Sequence, residues 1–145
     1  MNMGQYVRKI LIVEDDLALK PIWEKFFKLM AAGTVIEWAV SCEEAFKMIN
    51  QTNEAGSSYF LIISDIFLAG SKTGMELINS SEVANSKAKT VLISAADSDE
   101  VIEKFGHLVQ DTIVISKPFD FKKYDLVFKK IFKTSDEVVT HGAVT

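Results

Sequence analysis

The chain has 145 residues, of which 48% are apolar, and carries a formal net charge of −4. That length suits one domain of roughly 100–200 residues, and the apolar share is too high for a disordered chain. The acidic balance argues against nucleic acid as a direct partner, because phosphate binding needs a basic field.

From the N-terminus, Lys9-Ile10-Leu11-Ile12-Val13 is a short β-branched apolar run, as expected for a strand covered on both faces. The stretch Leu17 to Met30 follows with helical spacing, with Ile22, Phe26, Phe27 and Met30 on one side. Pro21 suits a first turn, which moves the expected helix start toward Lys20. A second strand is predicted over Thr34–Val40. Ser41, with Glu44 three residues on, reads as the start of a capping box for a helix through Ala45, Met48 and Ile49. After a polar loop, Tyr59–Ser64 forms a third apolar run. Asp65 to Thr73 is expected as a loop, followed by one helix from Gly74 to about Ala84.

Thr90–Ser94 is a fourth strand, and Asp97 or Ser98 could cap a helix through Val101, Ile102 and Phe105. Thr112–Ser116 is the fifth strand. The last helix begins after Asp120 and carries Tyr124, Leu126, Val127, Phe128, Ile131 and Phe132. Alternating strands and helices of this kind imply parallel βα units with right-handed crossovers. The predicted fold class is α/β, a doubly wound, flavodoxin-like five-stranded parallel sheet. One domain is expected over residues 1–133, with a polar, frayed tail over 134–145.

Ligands of open parallel sheets bind at the carboxyl ends of the strands. There the sequence places Glu14, Asp15 and Asp16 after strand one, Asp65 after strand three, Ser94 ending strand four and Lys117 after strand five. Each alone has a plain structural explanation, such as a helix cap or solvated turn. Together they put acids, a hydroxyl and an ammonium at one edge. Two carboxylates about 4 Å apart repel by roughly 4 kcal/mol at an effective dielectric of about 20. One lysine cannot offset three or four acids, and an all-oxygen site with room for water suits Mg²⁺.

Five stretches carry a family resemblance: Ile10-Leu11-Ile12-Val13-Glu14-Asp15-Asp16, Leu61 to Leu68, Gly74-Met75-Glu76-Leu77, Val91-Leu92-Ile93-Ser94-Ala95 and Ser116-Lys117-Pro118-Phe119. In this order and spacing the chain, from Lys9 to Phe132, resembles the receiver domains of two-component response regulators. The resemblance implies Asp65 as phosphoacceptor and Lys117 as its partner, with Ser94 as donor to a phosphoryl oxygen. It implies Mg²⁺ held by Asp15, Asp65 and the backbone carbonyl of Phe67, with Glu14 acting through water. Asp16 matches no such position and reads as a helix cap. The implied partners are a sensor histidine kinase or histidine phosphotransfer protein and a downstream protein target; a homodimer is left open. The implied protein catalyses its own phosphorylation and dephosphorylation without being a turnover enzyme.

Three departures stand out. Ala69 replaces a common proline in a slightly longer acceptor loop. Val114 stands where an aromatic usually precedes the lysine by three, which predicts a muted output rearrangement. Phe67 and Ala96 lack groups to orient an attacking water, which predicts a long-lived phosphorylated form.

A phosphorylation-independent pseudo-receiver is the main alternative. A dehalogenase-like hydrolase would need its nucleophile on strand one, and a nucleotide-binding protein would need a glycine-rich loop there. The single cysteine, Cys42, suits a reducing compartment; it could have a lowered pKa at its helix start, though a structural role is favoured. His107 and His141 are too isolated to form a metal pair. Neither a signal-peptide core nor an apolar run of roughly 18 residues is present, so the expected setting is cytoplasmic, without membrane contact.

Overall fold

The computed structural model describes residues 7–68, 72–95, 103, 106, 112–117 and 120–144, with side chains to 133. Five strands, β1 (Lys9–Val13), β2 (Val35–Ala39), β3 (Leu61–Asp65), β4 (Lys89–Ser94) and β5 (Ile113–Ser116), form one sheet. Its order is β2-β1-β3-β4-β5, with every pairing parallel. The chain winds outward from β1 to β2, then returns to place β3 on the other side of β1. That reversal makes the edge beyond β1 and β3 the switch point at which such sheets bind ligands.

Helices cover both faces, which explains the near-continuous apolar strands. On one face, Leu11, Ile62 and Leu92 pack with Ala45 and Ile49 of α2 (Cys42–Glu54), Leu77 of α3 (Gly74–Ile78) and Val83 of α4 (Ser81–Ser86). On the other, Ile12, Ile63 and Ile115 pack with Trp23 and Phe27 of α1 (Lys20–Met30) and Phe128 and Ile131 of α5 (Phe121–Val144). Successive strand residues alternate between these faces. Glu14, Asp65 and Lys117, each two residues beyond Ile12, Ile63 and Ile115, therefore follow the parity of the α1/α5 face.

Several elements differ from expectation. Asp65 is not the first loop residue but the last residue of β3, paired in register with Ile93. Tyr59 precedes that strand, buried, its hydroxyl donating to Glu37 Oε1 at 2.5 Å. The helix expected from Gly74 to Ala84 is two helices. Ser80 breaks it, donating to the Leu77 carbonyl and accepting from Val83 N–H, so that its hydroxyl competes with helix continuation and caps α4 instead. In α1 the buried position belongs to Trp23, while Ile22 is 41% exposed.

Other details match the reading. A 3-10 turn, Leu17–Leu19, precedes α1, which starts at Lys20, and Asp16 caps that turn through Ala18 N–H. Ser41 caps α2 by accepting from Glu44 N–H, while the Glu44 carboxylate reaches Val40 N–H. Contrary to the frayed tail expected from Thr134, where the apolar pattern stops, the backbone of α5 stays helical to Val144. Propagating a helix from a packed segment needs no new nucleus. The helix expected near Val101, Ile102 and Phe105, its cap at Asp97 or Ser98, Ala69, Ala96, Pro118, Phe119, His107 and the side chain of His141 lie outside the described residues.

Candidate functional site

The sheet register builds the site. Val13 pairs with Ser64, so Glu14 and Asp65, the next residue of each chain segment, emerge side by side at the carboxyl edge. The ladders continue just past the strands: Glu14 N–H donates to the Ala39 carbonyl at 2.9 Å and Ile66 N–H to the Ile93 carbonyl at 2.9 Å. Lys117 N–H donates to the Ser94 carbonyl at 2.7 Å, which fixes the lysine backbone against the end of β4.

Carboxylate oxygens of Glu14, Asp15 and Asp65 lie within 4.8 Å of one another. Glu14 and Asp65 are buried, at 4% and 8% exposure, whereas Asp15 faces solvent. Lys117 reaches across β4, its Nζ 2.8 Å from Asp65 Oδ2 and 3.1 Å from Glu14 Oε1. Glu14 Oε2 is buried with no hydrogen-bond donor among the described residues. Burial, and after it the neighbouring Asp65 carboxylate, pushes the Glu14 carboxyl up to about 7 against the pull of Lys117. Burial draws the Lys117 ammonium down, but the two carboxylates outweigh it and hold its pKa above the ordinary lysine value.

Among the remaining candidates, Ser94 closes β4, fully buried, one residue beyond the register partner of Asp65. Its carbonyl accepts from Lys117 N–H. Phe67 lies on the loop leaving β3 and is 64% exposed, so its backbone carbonyl is what it can offer. Val114 pairs with Leu92 and packs, partly buried, into the core beneath α2 to α4. Cys42 does not have the lowered pKa considered for it. It is fully buried, its Sγ donates to the Thr73 carbonyl at 2.9 Å, and burial, followed by the charges of Glu43 and Glu76, pushes the thiol up to about 11.

Two features escaped the sequence reading. Thr73 and Glu76 form a reciprocal capping box at the start of α3, a pattern the sequence does carry. Gly74 sits so close to the end of β3 that a Cβ there would lie 2.0 Å from the Asp65 carbonyl oxygen. Beside the acids, a cavity of about 570 Å³ opens toward α1, with Trp23, Ile22 and Phe121 on its apolar wall.

The donor set accommodates a hard divalent cation. Three carboxylates against one ammonium leave excess negative charge, and an orphaned buried oxygen needs a positive partner. The sign of the Glu14 shift gives a test. A carboxyl whose pKa is raised on folding stabilises the protein fully below its ordinary value of 4.5, and that contribution is lost as pH rises through about 7. Glu14→Gln is therefore expected to stabilise the ion-free protein by about 2 kcal/mol near pH 8. The advantage should shrink toward pH 4.5 and vanish at saturating Mg²⁺, as thermal melts across pH with and without the ion would show.

No protein-family model matches the chain. A search of curated proteins finds the transcriptional regulatory protein MalR of Bacillus subtilis (strain 168), 25% identical over 133 residues. That match covers 91% of this chain and 53% of the relative, so the chain spans about half the length of the curated protein it matches. Among solved structures, a CheY-like receiver domain from Methanospirillum hungatei JF-1 superposes with a TM-score of 0.69 at 22% identity, covering 91% of this chain and 99% of that one. The signal receiver domain of an HD domain-containing protein from Pseudomonas fluorescens Pf-5 gives 0.73 at 14% identity, covering 97% of each chain. A two-component response regulator from Clostridium difficile gives 0.69 at 23% identity, over 87% of this chain and 96% of that one. The chain has the fold of response-regulator receiver domains.

Proposed function

We propose that this receiver fold is a phosphoacceptor, with Asp65 taking a phosphoryl group from a histidine kinase or a histidine phosphotransfer protein. The observation that carries this reading is the Lys117 ammonium bridging Asp65 and Glu14 beside an unsatisfied Glu14 oxygen. Phosphoryl transfer asks the protein mainly for positioning and for charge neutralisation. Asp65 sits at the end of a fully paired strand, and Lys117 holds one of its oxygens and so sets the direction of the other. That oxygen attacks phosphorus, the bond to the donor nitrogen breaks, and an acyl phosphate forms on Asp65. Lys117 stays as counterion to the new group, and Ser94 donates to one of its oxygens. Glu14, Asp15, Asp65 and the Phe67 carbonyl would hold Mg²⁺, which when bound neutralises charge on the transferring group.

In this reading the protein is not a turnover enzyme. It works in the cytoplasm by contact with a downstream protein rather than by binding nucleic acid. Among the described residues no helix is long and apolar enough to cross a membrane. Packing of Val114 against Leu92 supports a muted output rearrangement, because a β-branched side chain fixed in the core cannot make a large ring swing.

The test is intact mass after incubation with a small acyl phosphate and Mg²⁺. The wild-type chain should gain one phosphoryl group, and chelation of the metal should prevent it. A wild-type chain that gains nothing, with donor and metal verified, would favour an interaction module that works without phosphorylation.

A further inference from the structure

The cavity beside the acids has walls that a hydrated ion does not use. Ile12, Ile63 and Ile93, all buried, line it from the sheet. Trp23 lines it from α1, buried and held by stacking on Phe27 at 5.8 Å and by an edge contact with Phe128 at 6.0 Å. Small-molecule sites run to roughly 300–1,000 Å³, with mostly apolar linings and a few placed polar groups. At about 570 Å³ this cavity has that size and that lining. A hard divalent cation is held by oxygens and water and makes no use of hydrocarbon.

The polar end of the cavity is made by Glu14, Asp65 and Lys117. Lys117 is engaged with Asp65 Oδ2 and Glu14 Oε1, which leaves Glu14 Oε2 as a buried acceptor without a donor among the described residues. Glu14 as a whole is 4% exposed, so that oxygen is satisfied from within the cavity rather than from bulk water. The two carboxylates also outnumber the one ammonium. An anion would be repelled here, and a neutral hydroxyl would satisfy the oxygen without offsetting the charge. An ammonium does both, through a charge-assisted hydrogen bond.

We propose that this cavity binds a small organic ammonium with an aromatic or alkyl body. Its head donates to Glu14 Oε2, and its body lies against Trp23 and the three isoleucines. Glu14 also faces the ion in the proposed Mg²⁺ site, so ligand and ion exclude each other. What this does to phosphoryl uptake rests on Asp65 as acceptor; the binding and the competition do not.

The probe is phenethylamine, with phenethyl alcohol and ethylamine as its matched halves, titrated calorimetrically into the ion-free full chain. The amine should bind roughly tenfold or more tightly than the alcohol, which lacks the charge. It should exceed ethylamine by a similar factor, because ethylamine lacks the ring that fills the apolar end. Methyl resonances of Ile12, Ile63 and Ile93 should shift on binding. Glu14→Gln should bind the amine no better than the alcohol, and its unchanged affinity for the alcohol would show that the cavity is intact. Mg²⁺ added at constant ionic strength should weaken the amine in wild type.

Equal affinity for amine and alcohol, or for amine and ethylamine, overturns the proposal. So does full amine affinity in Glu14→Gln, binding that leaves the three isoleucines unshifted, indifference to Mg²⁺, or no binding by the folded wild type. Phosphoryl uptake by the ligand-free chain is measured separately. Failure of binding with uptake intact removes this ligand alone, and failure of uptake with binding intact removes the acceptor reading alone.

Discussion

Replacing Lys117 by alanine is expected to slow phosphoryl uptake by roughly 10²–10³-fold and to destabilise the ion-free protein by about 3 kcal/mol near pH 8. Both effects come from one ammonium. Its bonds to Asp65 Oδ2 and Glu14 Oε1 are the only side-chain cation contacts to these acids among the described residues. Without it, two buried carboxylates face each other uncompensated, and breaking a buried pair leaves the partner's desolvation unrelieved.

The pH dependence follows in sign. The raised Lys117 pKa means that its stabilising contribution is complete below the ordinary lysine value of 10.5 and is lost only as pH rises beyond that. The bridge is therefore intact at neutral pH. In Lys117→Ala the influence that lowers the Glu14 pKa is gone, so Glu14 should take up a proton at higher pH than in wild type. Acidification, or saturating Mg²⁺, should then recover much of the lost stability. Denaturant melts at two pH values, with and without the ion, measure this. Phosphoryl uptake should stay slow even when Mg²⁺ restores stability, because the ion does not replace the ammonium at Asp65 Oδ2. Equal uptake rates for variant and wild type would remove Lys117 from the proposed chemistry.

Replacing Gly74 by alanine should cost about 3 kcal/mol and lower the melting temperature by roughly 10 °C. The reason is space rather than backbone freedom. The added methyl carbon would lie 2.0 Å from the Asp65 carbonyl oxygen and 2.7 Å from Ser64 Oγ. Strand backbone cannot yield as a flexible side-chain tip can. The same region is held from two other sides, by Ser64 Oγ donating to the Asp65 carbonyl at 2.9 Å and by Gly74 N–H donating to the Ile66 carbonyl at 2.8 Å. Relief of the clash must move either α3 or the end of β3, and the latter carries Asp65. Reduced Mg²⁺ affinity should therefore accompany the lower melting temperature. A Gly74→Ala protein with wild-type melting and wild-type Mg²⁺ affinity would show that the close approach constrains neither.

Much of this was legible in the chain itself, for identifiable reasons. The apolar runs mark the strands because a sheet covered on both faces leaves no polar alternation to confuse them. The acids, the hydroxyl and the lysine read as one edge because each follows such a run. Less legible was which of two adjacent apolar residues turns inward. The helical period gives a face of some width, and Ile22 and Trp23 both lie near its boundary; the larger aromatic surface of Trp23 is the one buried.

The break at Ser80 follows from a hydroxyl competing for helix backbone, a choice that periodicity does not register. Asp65 inside β3, Lys117 reaching Glu14 as well as Asp65, and the fit of Gly74 against β3 all depend on register between distant segments. No local pattern encodes that register.

The most direct test of Asp65 as acceptor is reductive trapping after treatment with a small acyl phosphate and Mg²⁺. Borohydride delivers one hydride to the carbonyl carbon of an acyl phosphate, phosphate leaves, and a second hydride reduces the resulting aldehyde to an alcohol that peptide mass mapping can locate. The expected result is a single reduced site at Asp65, absent from Asp65→Asn and from samples without Mg²⁺. Reduction at Asp15 or another carboxylate, or trapping that persists in Asp65→Asn, would contradict the assignment.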